Sequence, residues 1–316
     1  MIYVFLVISI VLIYIIFFTP YPFVWMIRRD KGSKRSKSPE NIEEIKAQVD
    51  ITLGLKYPSK FRLNTYDLYV PKGKPNKTFI IWLHGGSFVA GTSYGMRNYG
   101  PMFAEKGYSV CAMNYALAPE SAFPTQIIQI DEIIHHIVNN YEVESIVLGG
   151  DSAGANIAAM YGAIYQNDIL KKEVDITLNN QAPIDQLILF CGPYDFTEDY
   201  TRDVFKQFKT FMKYIGWSYL GDRDWLKGKT KYLASPLLHL NENYPPTFIV
   251  DGKKYSFMWQ GKKFAETLRK YNVPVQSSFY EELGHEFQFD FEENPVEAHE
   301  VFTNVIEFLE GEDKYV

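Results

Sequence analysis

Residues 1–27 carry no charged side chain, and Met1 to Thr19 is apolar almost throughout before Pro20-Tyr21-Pro22 interrupts the run. About 20 apolar residues in a helix cross the hydrocarbon core of a bilayer. The pattern therefore predicts one N-terminal transmembrane helix, with residues 1–27 as the anchor. A cleaved signal would want a basic residue ahead of the apolar run and small residues at its end. This chain starts Met-Ile-Tyr-Val and keeps bulky residues at the far end. Arg28, Arg29, Lys31, Lys34, Arg35 and Lys37 follow directly. Basic residues beside a span stay on the cytoplasmic side, which predicts a single-pass chain with its folded domain there. Residues 28–45 read as a basic linker, whose charges also suit anionic headgroups.

Beyond residue 45 the pattern changes. Short apolar runs rich in β-branched and aromatic residues recur at Asp67–Val70, Thr78–His84, Tyr108–Asn114, Ser145–Gly150, Gln186–Gly192, Thr247–Asp251 and Val275–Tyr280. Helical periods lie between them. Ile127, Ile130, Ile133, Ile134 and Ile137 share one helix face, Ala153–Tyr165 is Ala-rich, and Gln260–Tyr271 and Val296–Leu309 are amphipathic. Near-continuous apolar strands alternating with helices predict an α/β fold, its mostly parallel sheet flanked by helices. No second linker or repeat divides residues 46–316, which read as one domain. Ligands of such sheets bind at the carboxyl ends of the strands.

Composition adds three points. A formal net charge of −6 gives no global attraction for nucleic acid. Aromatics make up 16% of the chain, enough to line a core or an apolar cavity. The two cysteines, Cys111 and Cys191, sit in apolar runs and read as small core residues rather than a disulfide framework.

Three motifs fall at strand ends. Gly150-Asp151-Ser152-Ala153-Gly154 follows a strand and opens a helix, the setting of a nucleophile elbow. The tight turn exposes the Ser152 hydroxyl, and the helix N-terminus behind it favours developing negative charge. His84-Gly85-Gly86-Ser87 ends another strand. Backbone N–H groups of Gly85 and Gly86, with that of Ala153, are candidates for an oxyanion hole. Gly284-His285-Glu286-Phe287 follows the last strand. A serine hydroxyl needs a base within hydrogen-bond reach. Of six histidines, His285 best fits the chain order Ser, acid, His; His84 belongs to the glycine loop, and His135, His136 and His299 lie in helices.

These pieces together resemble the hormone-sensitive-lipase-like esterase and lipase branch of the α/β-hydrolase superfamily. The matching segments are His84-Gly85-Gly86, Tyr115-Ala116-Leu117-Ala118-Pro119-Glu120, Phe123-Pro124, Gly150-Asp151-Ser152-Ala153-Gly154-Ala155-Asn156, Ser235-Pro236-Leu237, Pro245-Pro246 and Gly284-His285. The resemblance implies the α/β-hydrolase fold and action on carboxylic esters with no metal or organic cofactor. It also implies a helical cap, roughly residues 196–244, that works as a lid together with the N-terminal residues.

Two positions depart from the family pattern. Ser87 stands where a third glycine is usual, and Tyr255 stands where an aspartate is expected. Asp251 is the nearest substitute for the acid. Asp195 is a second candidate and Glu282 a third; Asp251-Gly252 also reads as a turn. Residues 196–232 hold Phe196, Tyr200, Phe205, Phe208, Phe211, Tyr214, Trp217, Tyr219, Trp225 and Tyr232. Such a cap fits apolar or lipid-derived small-molecule esters. The reading is thus a membrane-anchored serine carboxylic-ester hydrolase with Ser152, His285 and Asp251 as its triad. The alternative is a hydrolase-fold binding or regulatory protein with a weakened triad. The same motifs suit ester, amide and thioester cleavage alike.

Overall fold

A computed structural model describes residues 2–29, 38–180, 182–198 and 206–311. The apolar N-terminus forms two helices, α1 (Ile2–Phe18) and α2 (Tyr21–Arg29), bent by 78° at their break. The single transmembrane helix expected from the sequence is corrected here. Pro20 supplies no backbone donor and disfavours helix at Thr19, so the run breaks there. At 1.5 Å per residue α1 is about 25 Å long, short of a hydrocarbon core of about 30 Å. No single helix among the described residues is long and apolar enough to cross a membrane.

α2 is not a free extension. Val24 is buried, and the Phe23 ring stacks on Tyr214 with centroids 4.9 Å apart. Arg28, read from sequence as the start of a solvated linker, is a clamp. Its guanidinium donates to both Glu120 carboxylate oxygens (2.8 and 2.7 Å) and to the carbonyls of Val89 (2.8 Å) and Ala118 (3.1 Å). Of the proposed linker, residues 30–37 lie outside the described residues.

Then follow α3 (Ile42–Ala47), β1 (Val49–Lys56), β2 (Thr65–Pro71), β3 (Thr78–Leu83), α4 (Tyr99–Glu105), β4 (Ser109–Met113), α5 (Thr125–Asn140) and β5 (Ser145–Asp151). The second half holds α6 (Ala153–Tyr165), α7 (Asp168–Val174), β6 (Ile184–Phe190), α8 (Lys206–Leu220), α9 (Thr230–Leu233), β7 (Thr247–Lys254), α10 (Met258–Lys270), β8 (Val275–Gly284) and α11 (Pro295–Glu310). The eight strands form one sheet in the order β1-β2-β4-β3-β5-β6-β7-β8. β1 and β2 pair antiparallel with their neighbours, and the ladders from β4 to β8 are parallel.

Alternate strand residues feed two cores. Ile81, Leu83, Leu148, Leu189 and Ile249 pack with the α5 isoleucines and with α6 and α10. Ile80, Trp82, Val147, Ile188 and Val250 pack with α4 and α11. Burial on both faces explains why these strands are apolar at nearly every position. Cys111 and Cys191 are buried free thiols. β1 escaped the sequence reading because its Ile51 and Leu53 point to solvent at a sheet edge, and its register shifts between Thr52 and Leu55. The parallel strands deliver β5, β6, β7 and β8 to one sheet end, where the motif residues collect.

Candidate active site

Ser152 sits between the last residue of β5 and the first of α6, with φ 52° and ψ −116°. A non-glycine residue held there is strained, and such strain gathers at functional turns. The glycines of the motif permit the turn by close approach. A Cβ on Gly154 would lie 2.0 Å from the Leu83 carbonyl oxygen, and one on Gly150 would lie 2.5 Å from the Gly154 carbonyl carbon. The Ser152 N–H donates to the Phe190 carbonyl at 2.8 Å, pinning the elbow to β6.

His285 follows β8, and its own N–H donates to the Lys254 carbonyl at 3.0 Å. That bond fixes the backbone from which the imidazole reaches Ser152, with Nε2 3.0 Å from Oγ. Burial pushes the imidazole pKa down to about 4. The ring is therefore neutral, as a general base must be.

The other ring nitrogen does not meet a carboxylate directly. His285 Nδ1 lies 2.7 Å from Ser256 Oγ, and the Ser256 hydroxyl donates to Asp251 Oδ1 at 2.5 Å. Asp251 is buried at the end of β7, and its Oδ2 has no hydrogen-bond partner among the described residues. Burial raises its pKa to about 8, opposed by hydrogen bonds from Ser256 and from the Gly252 and Phe257 amides. Tyr255, at the position where the family carries its acid, adopts φ 57° and is mostly exposed. That left-handed residue turns the chain so that Ser256 faces inward.

The other acid candidates are engaged elsewhere. Asp195 Oδ1 accepts from the N–H (2.8 Å) and hydroxyl (2.6 Å) of Thr197, holding the start of the cap. Glu282 pairs with Lys254 at 3.5 Å on the surface. Sequence reasoning missed Ser256. Its only signal was a hydroxyl residue next to Tyr255, which a single sequence gives no reason to single out.

The glycine loop brings one correction. The Gly85 N–H, expected among the oxyanion donors, donates to Asp151 Oδ2 at 2.7 Å. Asp151 Oδ1 accepts from Trp82 Nε1 at 2.8 Å. Asp151, quoted only as part of the elbow motif, thus ties the elbow to the loop. Its pKa is raised to about 8 by burial and by the neighbouring Glu286 charge. Gly86, Ser87 and Phe88 have φ of 115°, 56° and 64° in succession. The amides of Gly86, Ser87 and Ala153 make no hydrogen bond among the described residues, and Ala153 opens a helix whose first N–H groups lack internal partners. His84 is structural. Its ring stacks on Tyr115 with centroids 4.2 Å apart, and burial lowers its pKa to about 4.

Among the described residues, Cys191, Asp251 and His285 place ligand-type atoms within 4.8 Å of one another. Hydrogen bonds to Ser256 and Ser152 already use the His285 nitrogens, Ser256 occupies Asp251 Oδ1, and Cys191 Sγ accepts from Gln288 Nε2 at 3.6 Å, so the group is engaged rather than an open metal site.

Aromatic rings cover the site from the cap. Phe88 of the loop stacks on Tyr219 with centroids 3.8 Å apart, and Phe208 lies 5.1 Å from Phe257. Phe211 and Tyr214 receive Phe23 of α2, so the wall joins α8 to the N-terminal helices. Tyr200 and Phe205 of the expected lid lie outside the described residues.

Strand order, strained serine elbow and histidine after the last strand define an α/β-hydrolase. The model of the BD-FAE family matches residues 66–268, and the chain belongs to that family, on the hormone-sensitive-lipase-like side of the superfamily. It is similar to an esterase from Acinetobacter venetianus, 26% identical over 246 residues that cover 77% of this chain and 78% of the relative. It is also similar to hormone-sensitive lipase of Mus musculus, 29% identical over 131 residues. That match covers 37% of this chain but spans only 17% of the length of the mouse lipase. Among solved structures, esterase B from Lactobacillus rhamnosis superposes with a TM-score of 0.71 at 21% identity, covering 92% of this chain and 94% of that one.

Proposed function

We propose that the protein is a serine hydrolase of carboxylic esters. The observation that carries this is the 3.0 Å approach of neutral His285 Nε2 to the Oγ of a strained Ser152. The esterase among its relatives supports the same chemistry. Ser152 Oγ forms a bond to the ester carbonyl carbon while its proton passes to His285 Nε2, and the carbonyl π pair moves onto oxygen. The amides of Gly86, Ser87 and Ala153 receive that oxyanion; removing one such donor typically lowers rate by about 10²–10³. The imidazolium then protonates the departing alkoxide as the C–O bond breaks. Water repeats the sequence on the acyl-serine and releases the acid.

A fluorophosphonate probe tests this directly. Wild-type protein is expected to be labelled and Ser152→Ala is not. An unlabelled wild type would sink the reading in favour of a binding protein on the same fold, and label retained in the variant would remove Ser152 as the nucleophile.

The finer reading is a membrane-associated enzyme acting on apolar, lipid-derived esters, with its catalytic domain on the cytoplasmic side. It is supported by the all-round apolarity of α1, whose side chains from Tyr3 to Phe18 are mostly exposed. A helix apolar all round belongs in a protein core or in lipid. Arg223 lies over both Phe18 and Trp217, a cation and aromatics grouped where α1 leaves the body. The anchored helix continues into α2, which walls the cap. Full-length protein is expected to float with phospholipid vesicles and to hydrolyse a long-chain ester in them faster than protein lacking residues 1–19. Both forms should cleave a short soluble ester alike. Equal flotation of the two forms would remove the membrane reading and leave the chemistry intact. Digestion of the domain by protease added to intact cells would overturn its placement.

A further inference from the structure

We infer that Ser256 is a positioning residue that makes the tautomer of His285, and so its competence as a base, depend on the ionisation of Asp251. This deepens the proposed esterase reading and rests on it.

The argument starts from donors and acceptors. His285 can serve Ser152 only with its lone pair on Nε2 and its proton on Nδ1. Nδ1 lies 2.7 Å from Ser256 Oγ, so the hydroxyl oxygen must accept the Nδ1–H. A serine hydroxyl has one proton, and here it must point to Asp251 Oδ1, 2.5 Å away. An ionised Asp251 accepts in that direction; a protonated one would do so only with its proton on Oδ2, which is buried with no partner among the described residues, so that O–H would go unsatisfied. If Asp251 is protonated, its proton can occupy the same short contact. Ser256 then turns its own proton toward Nδ1, which selects the tautomer with Nε2–H facing Ser152. The bond chain has two directions, and only one leaves a base at the nucleophile.

The surroundings place the balance within reach. Asp251 is buried with Oδ2 unpartnered, and its pKa is raised to about 8 by that burial. The titratable groups facing it are His285 after β8, and Cys191 and Tyr194 beyond β6; His285 is itself faced at Nε2 by Glu286 Oε1 at 3.8 Å. Cys191 and Tyr194 are pushed well above their ordinary range, so both stay neutral across the same pH interval. Burial and the neighbouring Glu286 charge also raise Asp151, so it ionises in the same direction as pH rises. Its added charge sits behind the Gly85 amide, beside the developing oxyanion, and acts to slow the reaction. The two ionisations therefore differ in sign. Ionised Asp251 further stabilises the imidazolium as it forms, through the intervening hydroxyl.

The test is the pH dependence of kcat/KM on a soluble short-chain ester for full-length wild type, Ser256→Ala and Ser256→Thr. Wild type is expected to show a step upward near pH 8 above a low plateau. Ser256→Ala is expected to lose that upward step, keep the fall near pH 4 and whatever decline Asp151 imposes near pH 8, and drop by about 10²-fold or more at pH 8.5, in the range of a lost acid–base role. Ser256→Thr, which keeps a hydroxyl, is expected to restore both. If Ser256→Ala keeps the step, with or without a loss of rate, Ser256 merely fills space and the inference is overturned. Failure of Ser256→Thr to restore the step would overturn it as well. Ring-nitrogen NMR shifts of His285 give a readout that needs no turnover. In wild type the proton should move from Nε2 to Nδ1 as pH rises through 8, and in Ser256→Ala it should not. A wild type without esterase activity that still shows this exchange would refute the enzyme reading alone; a fixed tautomer would refute the relay alone.

Discussion

Ser152→Ala is expected to lower ester turnover by about 10⁶-fold, the scale seen when a hydrolase nucleophile is removed by itself. The residual rate would come from water attacking an ester still held against the amides of Gly86, Ser87 and Ala153. Little else should change. Ser152 is almost buried, and its backbone position is set by the Phe190 carbonyl and by glycines that pass close to neighbouring backbone, not by its hydroxyl. Relief of an ionisable contact is not involved either, because the neighbouring His285 is neutral. The variant should unfold within a degree or two of wild type while its activity disappears. Steady-state hydrolysis of a chromogenic acyl ester, with thermal unfolding measured in parallel, checks both halves. A variant that retains more than about one-hundredth of the wild-type rate would show that another group carries the chemistry.

Much of this arrangement was legible in the sequence because it depends on local pattern. A strand that ends in Gly150-Asp151-Ser152-Ala153-Gly154 and runs into an Ala-rich helix has few alternatives once both faces of the sheet must be covered. The elbow, α6 and the buried face of α5 therefore stand where the pattern put them. His285 was legible for a related reason, since it is the histidine that follows the last strand. The misses are tertiary. β1 hides its strand character at a solvent-facing edge. The N-terminal run satisfies a count of apolar residues, but Thr19-Pro20 decides where its axis turns. Gly85 carries a free-looking amide in sequence that the fold assigns to Asp151. Ser256 acquires meaning only when Tyr255 turns the chain and β7 and β8 bring Asp251 and His285 to either side of one hydroxyl.

Asp251→Asn is expected to separate activity from stability in opposite directions. For activity, the amide can present an N–H to Ser256 Oγ. The serine proton then turns to His285 Nδ1, and the ring settles with Nε2–H against Ser152. An equivalent exchange in a well-studied triad lowers kcat by about 10⁴, and a loss of about 10³–10⁴ is expected here at pH 8.5. For stability, an aspartate titrates near 3.9 in the unfolded chain, whereas the folded value is raised to about 8 by burial. Between those values the folded state binds more protons than the unfolded one, so this group's contribution to stability falls as pH rises and levels off above 8. Asparagine has no such dependence. The variant's melting temperature, compared with wild type, should therefore gain progressively from pH 5 to pH 8 and no further beyond. Scanning calorimetry across that range, beside initial rates at each pH, decides the matter. A melting-temperature difference that does not change with pH would mean that Asp251 is not held protonated by the fold. An unchanged rate would remove Asp251 from the acid position. Loss of rate together with a widening stability gain is the combination expected of a carboxylate kept in an unfavourable burial for the sake of the histidine two hydrogen bonds away.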